Sequence, residues 1–207
     1  DDRLIIELFS IRKLNLDLID LPGIVGGSIR NEPSDMMERT RAVTAGFLND
    51  AFNPHTFVIV VVAANEGRVR NSQGLELVQR YKKEHMTIGT LTMADLCADH
   101  RSAENKYKRL KERLNGTADD LPQLDLGYIA LVNRDTSEVV RHTLEEVNEA
   151  EIAWFAENVP EQTENCGIDA LTSKLVNLLK KYTTEKWHVL EHDRLLDERN
   201  ETMQQLS

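Results

Sequence analysis

The sequence predicts an α/β fold in which helices cover both faces of an open, mostly parallel sheet. The first observation is the run FVIVVVA from Phe57 to Ala63, whose β-branched residues are typical of a strand in the middle of a parallel sheet. The second is that apolar strands at Thr87 to Thr92 and Leu126 to Val132 alternate with helical segments. Strands and helices in alternation indicate a three-layer sheet with right-handed crossovers.

Apolar residues at three- and four-residue spacing mark the helical segments. The last segment begins near Ile168 and reads as one long helix, with charges crowding a thinner apolar stripe beyond about Tyr182. This change predicts a helix that leaves the domain to meet a partner helix. An earlier acidic helix contains Trp154 and Phe155, which we expect to be core anchors. The predicted helices are residues 34–52, 72–83, 103–114, 145–159 and 168 onward, with a loop at 160–165.

Composition limits the classes of partner. The chain has 207 residues and a net charge of −10, which argues against a general nucleic-acid surface because phosphate backbones require clustered Lys and Arg. Cys97 and Cys166 form neither a metal-ligand spacing nor a disulfide framework, which fits a reducing, cytoplasmic setting. No stretch reaches the roughly 18 apolar residues of a membrane-spanning helix.

The first third of the chain contains a predicted edge hairpin that ends in an acidic turn. Leu4 to Ile11 and Leu14 to Ile19 read as antiparallel strands, and the second runs into Asp20 and, three residues later, Gly23. A carboxylate at the end of a buried strand can hold Mg²⁺ through water, and a glycine amide can approach a terminal phosphate. The alternative is a strand that ends in an ordinary Pro-Gly turn.

Polar side chains also end the next two parallel strands. Thr92 and Asp95 close one, and Asn133 closes the other. Ligands of open α/β sheets bind beyond the carboxyl ends of the strands, where Asp20 is predicted to lie as well. An Asp carboxylate there can accept hydrogen bonds from the N1–H and 2-amino groups of guanine, which adenine cannot supply. Taken singly, Asp95 as a turn cap and Asn133 as the start of an Asx-turn remain alternatives.

Three segments together resemble the dynamin superfamily of large GTPases. They are LNLDLIDLPGIV from Leu14, TIGTLTMADL from Thr87 and LGYIALVNRDTSE from Leu126. The typical family forms are LTLIDLPGI, TIGVLTKLDL and GYIGVVNRSQ, in the same order and at similar spacing. The resemblance runs from Leu14 to about Lys181. It implies a P-loop-NTPase-like GTPase domain over residues 1–181, and a helix at 182–207 leading toward the signalling and stalk bundles.

The resemblance also implies ligands and roles. GTP with Mg²⁺ would be bound, with Asp20 positioning the Mg²⁺-bound water and Gly23 sensing the γ-phosphate. The activity would be GTP hydrolysis coupled to membrane remodelling or fission by oligomers. The implied partners are a guanine nucleotide, further copies or intact dynamin-like GTPases, and a membrane or cytoskeleton reached through regions outside this chain.

On the base side, the resemblance implies that Thr92 and Asp95 order and read the guanine. Asn133 and Arg134 would flank base and ribose. Met93 stands where the family has Lys, so that its aliphatic stem can lie across the guanine while the ammonium is lost.

Two departures from the family lead to the remaining expectations. Ala98 replaces a base-contacting Asp, and no G-x-x-x-x-G-K-[ST] loop for the phosphates occurs in the sequence. The chain opens with Asp1-Asp2 and no Met, so we expect a fragment that is truncated at its N-terminus. We expect this polypeptide alone not to hydrolyse GTP, since most of the phosphate-binding groups are missing. The alternative hypothesis is a degenerate, non-hydrolysing interaction module.

Overall fold

The three described strands form a parallel sheet. The computed structural model describes residues 18–24, 33–49, 56–65, 69, 72–99, 106–133 and 142–205. The strands are β1 (Val58–Ala63), β2 (Thr87–Thr92) and β3 (Tyr128–Ala130), in the order β1-β2-β3 with every pairing parallel. The α/β class and the parallel sheet that the sequence predicts are therefore confirmed.

Gly89 fixes the packing at the centre of the sheet. It pairs with Val60 on one side and with Tyr128 on the other. A Cβ atom at Gly89 would lie 2.2 Å from the Tyr128 ring, so only glycine allows the ring to cross the strand. The Tyr128 hydroxyl then donates to the Pro122 carbonyl at 2.7 Å. This contact holds the loop before β3 against the sheet.

Helices surround the sheet as the apolar periodicity predicts. Helix α4 begins with a capping box between Thr143 and Glu146, and Ser72 caps α2 through its hydroxyl. Residues 160–165, predicted as a loop, form a 3₁₀ turn instead, because Pro160 has a φ suited to a first helical position. The helices are α1 (Met36–Leu48), α2 (Gln73–Arg80), α3 (Lys108–Leu114), α4 (Leu144–Asn158), α5 (Gly167–Tyr182) and α6 (His188–Gln205).

The core occupies both faces of the sheet. On one face, Tyr128 and Leu91 pack with Leu110 and Phe155. On the other, a smaller cluster from β2, β3 and the segment just after β3 packs against Leu171 of α5. The alternation of side chains along each strand accounts for the two clusters. Trp154, expected as a core anchor, meets Tyr107 edge-to-face with 5.1 Å between ring centroids.

Helix α5 crosses its face of the sheet obliquely. It begins beside the end of β3, where Ile168 is tied to Glu151, and ends where Tyr182 meets Phe57 just before β1. One π-helical turn, Thr183–Trp187, then joins α5 to α6. The long C-terminal helix that the sequence predicts is thus present in the structure. In the described part of the chain, no helix is long and apolar enough to cross a membrane.

Two predictions about strands need correction. Leu18 and Ile19 were expected in a buried strand, but they belong to no strand and are 78% and 54% exposed, because no described strand pairs with them. The run from Phe57 to Ala63 was expected in mid-sheet, yet β1 is an edge strand among the described residues. Val61 is 66% exposed because α5 covers the β3 side of that face. The predicted hairpin at 4–17 lies outside the described residues.

Candidate functional site

The carboxyl ends of β1, β2 and β3 are joined by backbone hydrogen bonds. The Ala64 N–H donates to the Thr92 carbonyl at 2.7 Å, and the Ala94 N–H donates to the Leu131 carbonyl at 3.2 Å. The Thr92 hydroxyl donates to the Val62 carbonyl at 3.4 Å. Thr92, predicted to order a guanine base, therefore joins β2 to β1. The structure brings the residues after β2 and β3 to one edge of the sheet.

Met93 reverses the chain at this edge. Its φ of 56° and ψ of 39° are left-handed, a conformation that costs a side-chain-bearing residue about 1 kcal/mol or more. The chain then enters a 3₁₀ turn, Ala94–Leu96, and the Met93 side chain is 47% exposed. The strained turn thus holds Met93 toward solvent beside Asp95.

Asp95 does not cap the turn that contains it. No side-chain capping bond is present in the 3₁₀ turn, and Asp95 is only partly buried. Among the residues that the structure describes, none forms a hydrogen bond or an ion pair with its carboxylate. No described residue therefore occupies the two carboxylate oxygens, which can accept from donors of a ligand.

Asn133 is exposed, three residues after the end of β3, and Leu131, two residues before it, is bonded to Ala94 in the turn that carries Asp95. Arg134 lies outside the described residues. Asp20 and Gly23 lie in an irregular, exposed segment at 18–24, and a Cβ on Gly23 would meet no atom within 4 Å. Among the described residues, no group of three acidic, His or Cys side chains could hold a metal ion. Asp20 offers one exposed carboxylate, which suits a Mg²⁺ that keeps most of its water ligands.

A buried arginine that the sequence analysis missed supports the end of β1. Arg113 of α3 is 3% exposed; its guanidinium donates to the Ala64 carbonyl at 2.6 Å and to Asp120 at 2.6 Å. The Cys97 thiol also donates to the Ala64 carbonyl, at 3.2 Å, and burial raises the pKa of that thiol. Ala64 is thereby held between β2 and α3. The short spacing from Arg113 to Asp120 is a weak signal that many surface pairs share.

A buried glutamate that the sequence analysis also missed supports the end of β3. Glu151 of α4 is 5% exposed, and each of its two oxygens accepts one backbone hydrogen bond, from Val132 at 2.6 Å and from Ile168 at 2.8 Å. Trp154 and Phe155 follow it at three- and four-residue spacing, on the face that packs against the core. That spacing was the available signal, since it places Glu151 on the buried face.

The fold and this edge define the class of open α/β proteins that bind ligands at the carboxyl ends of their strands. No family model matches the chain. It is 31% identical over 185 residues to dynamin-related protein dnm1 of Schizosaccharomyces pombe. The aligned region covers 87% of this chain and 22% of that protein. Dynamin-B of Dictyostelium discoideum is 26% identical over 183 residues, covering 86% of this chain and 18% of that protein.

A third relative has the same character. Dynamin-related protein DNM1 of Saccharomyces cerevisiae is 26% identical over 185 residues, or 87% of this chain and 23% of its own length. The chain belongs to the dynamin superfamily, as the three segments in its sequence predict. It spans about a fifth of the length of these relatives.

Proposed function

We propose that this chain is part of the GTP-binding and GTP-hydrolysing domain of a dynamin-like protein that remodels or divides membranes. The observation that carries the proposal is that Asp95 and Asn133 follow two adjacent parallel strands, and that no described residue pairs with the Asp95 carboxylate. Residues 1–181 would belong to the GTPase domain and 182–207 to a helix leading toward the stalk. In support of that boundary, no described residue of α6 is buried.

In this proposal the base is read by the edge beyond β2 and β3. Asp95 accepts hydrogen bonds from guanine N1–H and the 2-amino group, while Met93 lies along the face of the base. Thr92 holds β2 in register with β1 beneath the pocket. Asn133 would flank the base and ribose, a role that the resemblance also assigns to Arg134, which lies outside the described residues.

The phosphate side of the proposed site involves Asp20 and Gly23. Asp20 would hold a water of the Mg²⁺ ion, and the Gly23 amide would donate to the γ-phosphate because glycine lets the backbone approach closely. When bound, Mg²⁺ neutralises charge on the phosphate oxygens.

Titration with a fluorescent GTP analogue, with ATP as competitor, tests the proposal. We expect a preference for GTP in the wild type that falls at least tenfold in Asp95→Asn, since each hydrogen bond to a charged group is worth about 1.5–3 kcal/mol. Asp125→Asn is the matched control, because Asp125 is an exposed carboxylate before the amino end of β3. Equal binding of GTP and ATP by the wild type would refute the guanine site.

We further propose that the 207-residue polypeptide has no GTPase activity by itself. The sequence has no G-x-x-x-x-G-K-[ST] loop, whose amides and Lys supply most of the electrostatic stabilisation of the transition state. Saturable, Mg²⁺-dependent phosphate release by this polypeptide would overturn that statement.

A non-hydrolysing interaction module is the second candidate, and Met93 favours it. Replacing the family's Lys by an exposed methionine removes an ammonium that could contact the ribose. If the base pocket is otherwise intact, Met93→Lys should strengthen binding of the GTP analogue about tenfold. The second candidate is favoured instead if neither protein binds nucleotide and the chain associates with intact dynamin-like GTPases. Either role fits a cytoplasmic protein that self-associates and is peripherally bound to membranes.

A further inference from the structure

The Glu151 carboxylate connects three elements at the carboxyl edge of the sheet. It projects from the middle of α4, accepts from the Val132 N–H after β3 and accepts from the Ile168 N–H in the first turn of α5. Gly167 lies directly beneath it, since a Cβ there would be 3.3 Å from one carboxylate oxygen, and its φ is +86°. The left-handed φ favours glycine, and any larger residue would also crowd the carboxylate.

Two backbone N–H groups are the hydrogen-bond partners of this buried carboxylate among the described residues. Among the residues that the structure describes, no Lys, Arg or His forms an ion pair with Glu151. The two amide donors and the N-terminus of the 16-residue α5 offset the cost of burying the carboxylate. A neutral or apolar residue could fill the same space at lower cost. The specific contribution of a carboxylate here is that it fixes two backbone segments at once.

The position of Val132 affects Asn133, because Asn133 follows it directly in the chain. Leu131, just after β3, is bonded to the β2 side through both backbone groups: its N–H donates to the Leu91 carbonyl at 2.9 Å, and its carbonyl accepts from the Ala94 N–H at 3.2 Å. The next backbone N–H, that of Val132, is held by Glu151 instead. The backbone leading to Asn133 is thus tied to β2 through Leu131 and to α4 through Val132.

We infer that Glu151 is a positioning residue, which sets the Asn133 wall of the guanine pocket through the Val132 amide. The inference rests on the proposed function, and it assigns to α4 a role in base selectivity. The carboxylate itself touches no nucleotide. Its effect reaches the base only through the backbone of Val132.

Hydrogen exchange tests the clamp without any ligand. In Glu151→Gln, the side-chain amide turns a donor toward one of the two backbone N–H groups. The amides of Val132 and Ile168 should therefore exchange at least about tenfold faster. Glu149→Gln is the matched control, because Glu149 is exposed on the same helix and loses the same charge. Unchanged exchange in Glu151→Gln would overturn the inference at its first step.

Nucleotide selectivity separates positioning from simple stabilisation. We expect Glu151→Gln to lower the preference for the fluorescent GTP analogue over ATP about tenfold. The Glu151→Asp side chain is one methylene shorter and can reach only one amide, so this variant should lose part of the preference for GTP. It replaces Glu151→Gln in the experiment if the Gln variant does not fold. Glu149→Gln should retain the wild-type ratio.

The outcomes are distinguishable. A wild type that prefers GTP, with a Glu151→Gln variant that keeps the same preference, overturns the inference and leaves the proposed function standing. A wild type without any preference overturns both, even where exchange confirms the clamp. Loss of preference in the two Glu151 variants alone supports the inference.

Discussion

At the scale of single residues, the Arg113–Asp120 pair gives the clearest expectation for stability. The Arg113 side chain is 4% exposed and that of Asp120 is 16% exposed, with 2.6 Å between the guanidinium and the carboxylate. Asp120→Asn would leave the buried guanidinium without its counter-charge, which should cost about 3 kcal/mol of unfolding free energy. Urea denaturation measures the loss.

The neighbouring residue provides a control of the same chemistry. Asp119 also pairs with an arginine, Arg109, at 2.6 Å, but its side chain is 84% exposed. Asp119→Asn should therefore cost less than about 1 kcal/mol, because water screens exposed pairs. Equal losses in the two variants would show that burial of Arg113 contributes nothing.

The same pair gives a pH dependence with a definite sign. Burial raises the pKa of the Asp120 carboxyl, but the hydrogen bonds and charge of Arg113, together with the charge of Arg109, outweigh it and hold the pKa below the usual 3.8. Because the folded-state pKa is the lower one, ionised Asp120 stabilises the protein above the unfolded-state pKa. That stabilisation is lost as the pH falls through the folded-state pKa.

The difference in unfolding free energy between wild type and Asp120→Asn should therefore be constant from about pH 7 to about pH 5. It should shrink below about pH 4. Urea titrations at several pH values measure it. A difference that persists undiminished at about pH 2 would mean that the carboxylate charge is not its source.

At the scale of elements, the sequence predicted the position of a strand along the chain better than its place in the sheet. Strand β2 occupies Thr87–Thr92 as predicted, since its apolar residues are enclosed on both faces. That β1 lies at the edge of the described sheet could not be predicted, because strand order depends on which strands pair, and the same β-branched run suits either place. For the candidate site, the sequence pattern predicted Asp95 and Asn133 but gave no indication of Glu151 or Arg113. Buried charges look like surface charges until the packing is known.

Helix α6 should contribute little to the stability of the domain. Its described residues are exposed or half-buried, so it removes little apolar surface from water. Deletion of residues 188–207 should change the unfolding free energy by less than about 1 kcal/mol. By contrast, Leu171→Ala in α5 should cost about 2–4 kcal/mol, because Leu171 is 8% exposed in the cluster against the sheet. Thermal and urea denaturation measure the unfolding free energy of both variants. If the deletion costs as much as Leu171→Ala, α6 packs against the domain in solution.

At the scale of the whole molecule, the net charge of −10 acts on any anionic nucleotide that approaches. The repulsion extends over the Debye length, which is about 30 Å at 0.01 M salt and about 8 Å at 0.15 M. If GTP binds at the edge beyond β2 and β3, its affinity should rise severalfold as salt increases across that range. This is the reverse of the salt dependence of proteins that bind phosphate through clustered Lys and Arg.

Guanosine distinguishes the charge effect from a change in the pocket. It presents the same base to Asp95 but carries no phosphate, so its affinity should stay constant while that of the GTP analogue rises. Calorimetric titrations of both ligands at fixed Mg²⁺ measure the two trends. An affinity for the GTP analogue that falls with added salt would contradict the prediction, and would mean that cations close to the phosphates outweigh the overall negative charge of the molecule.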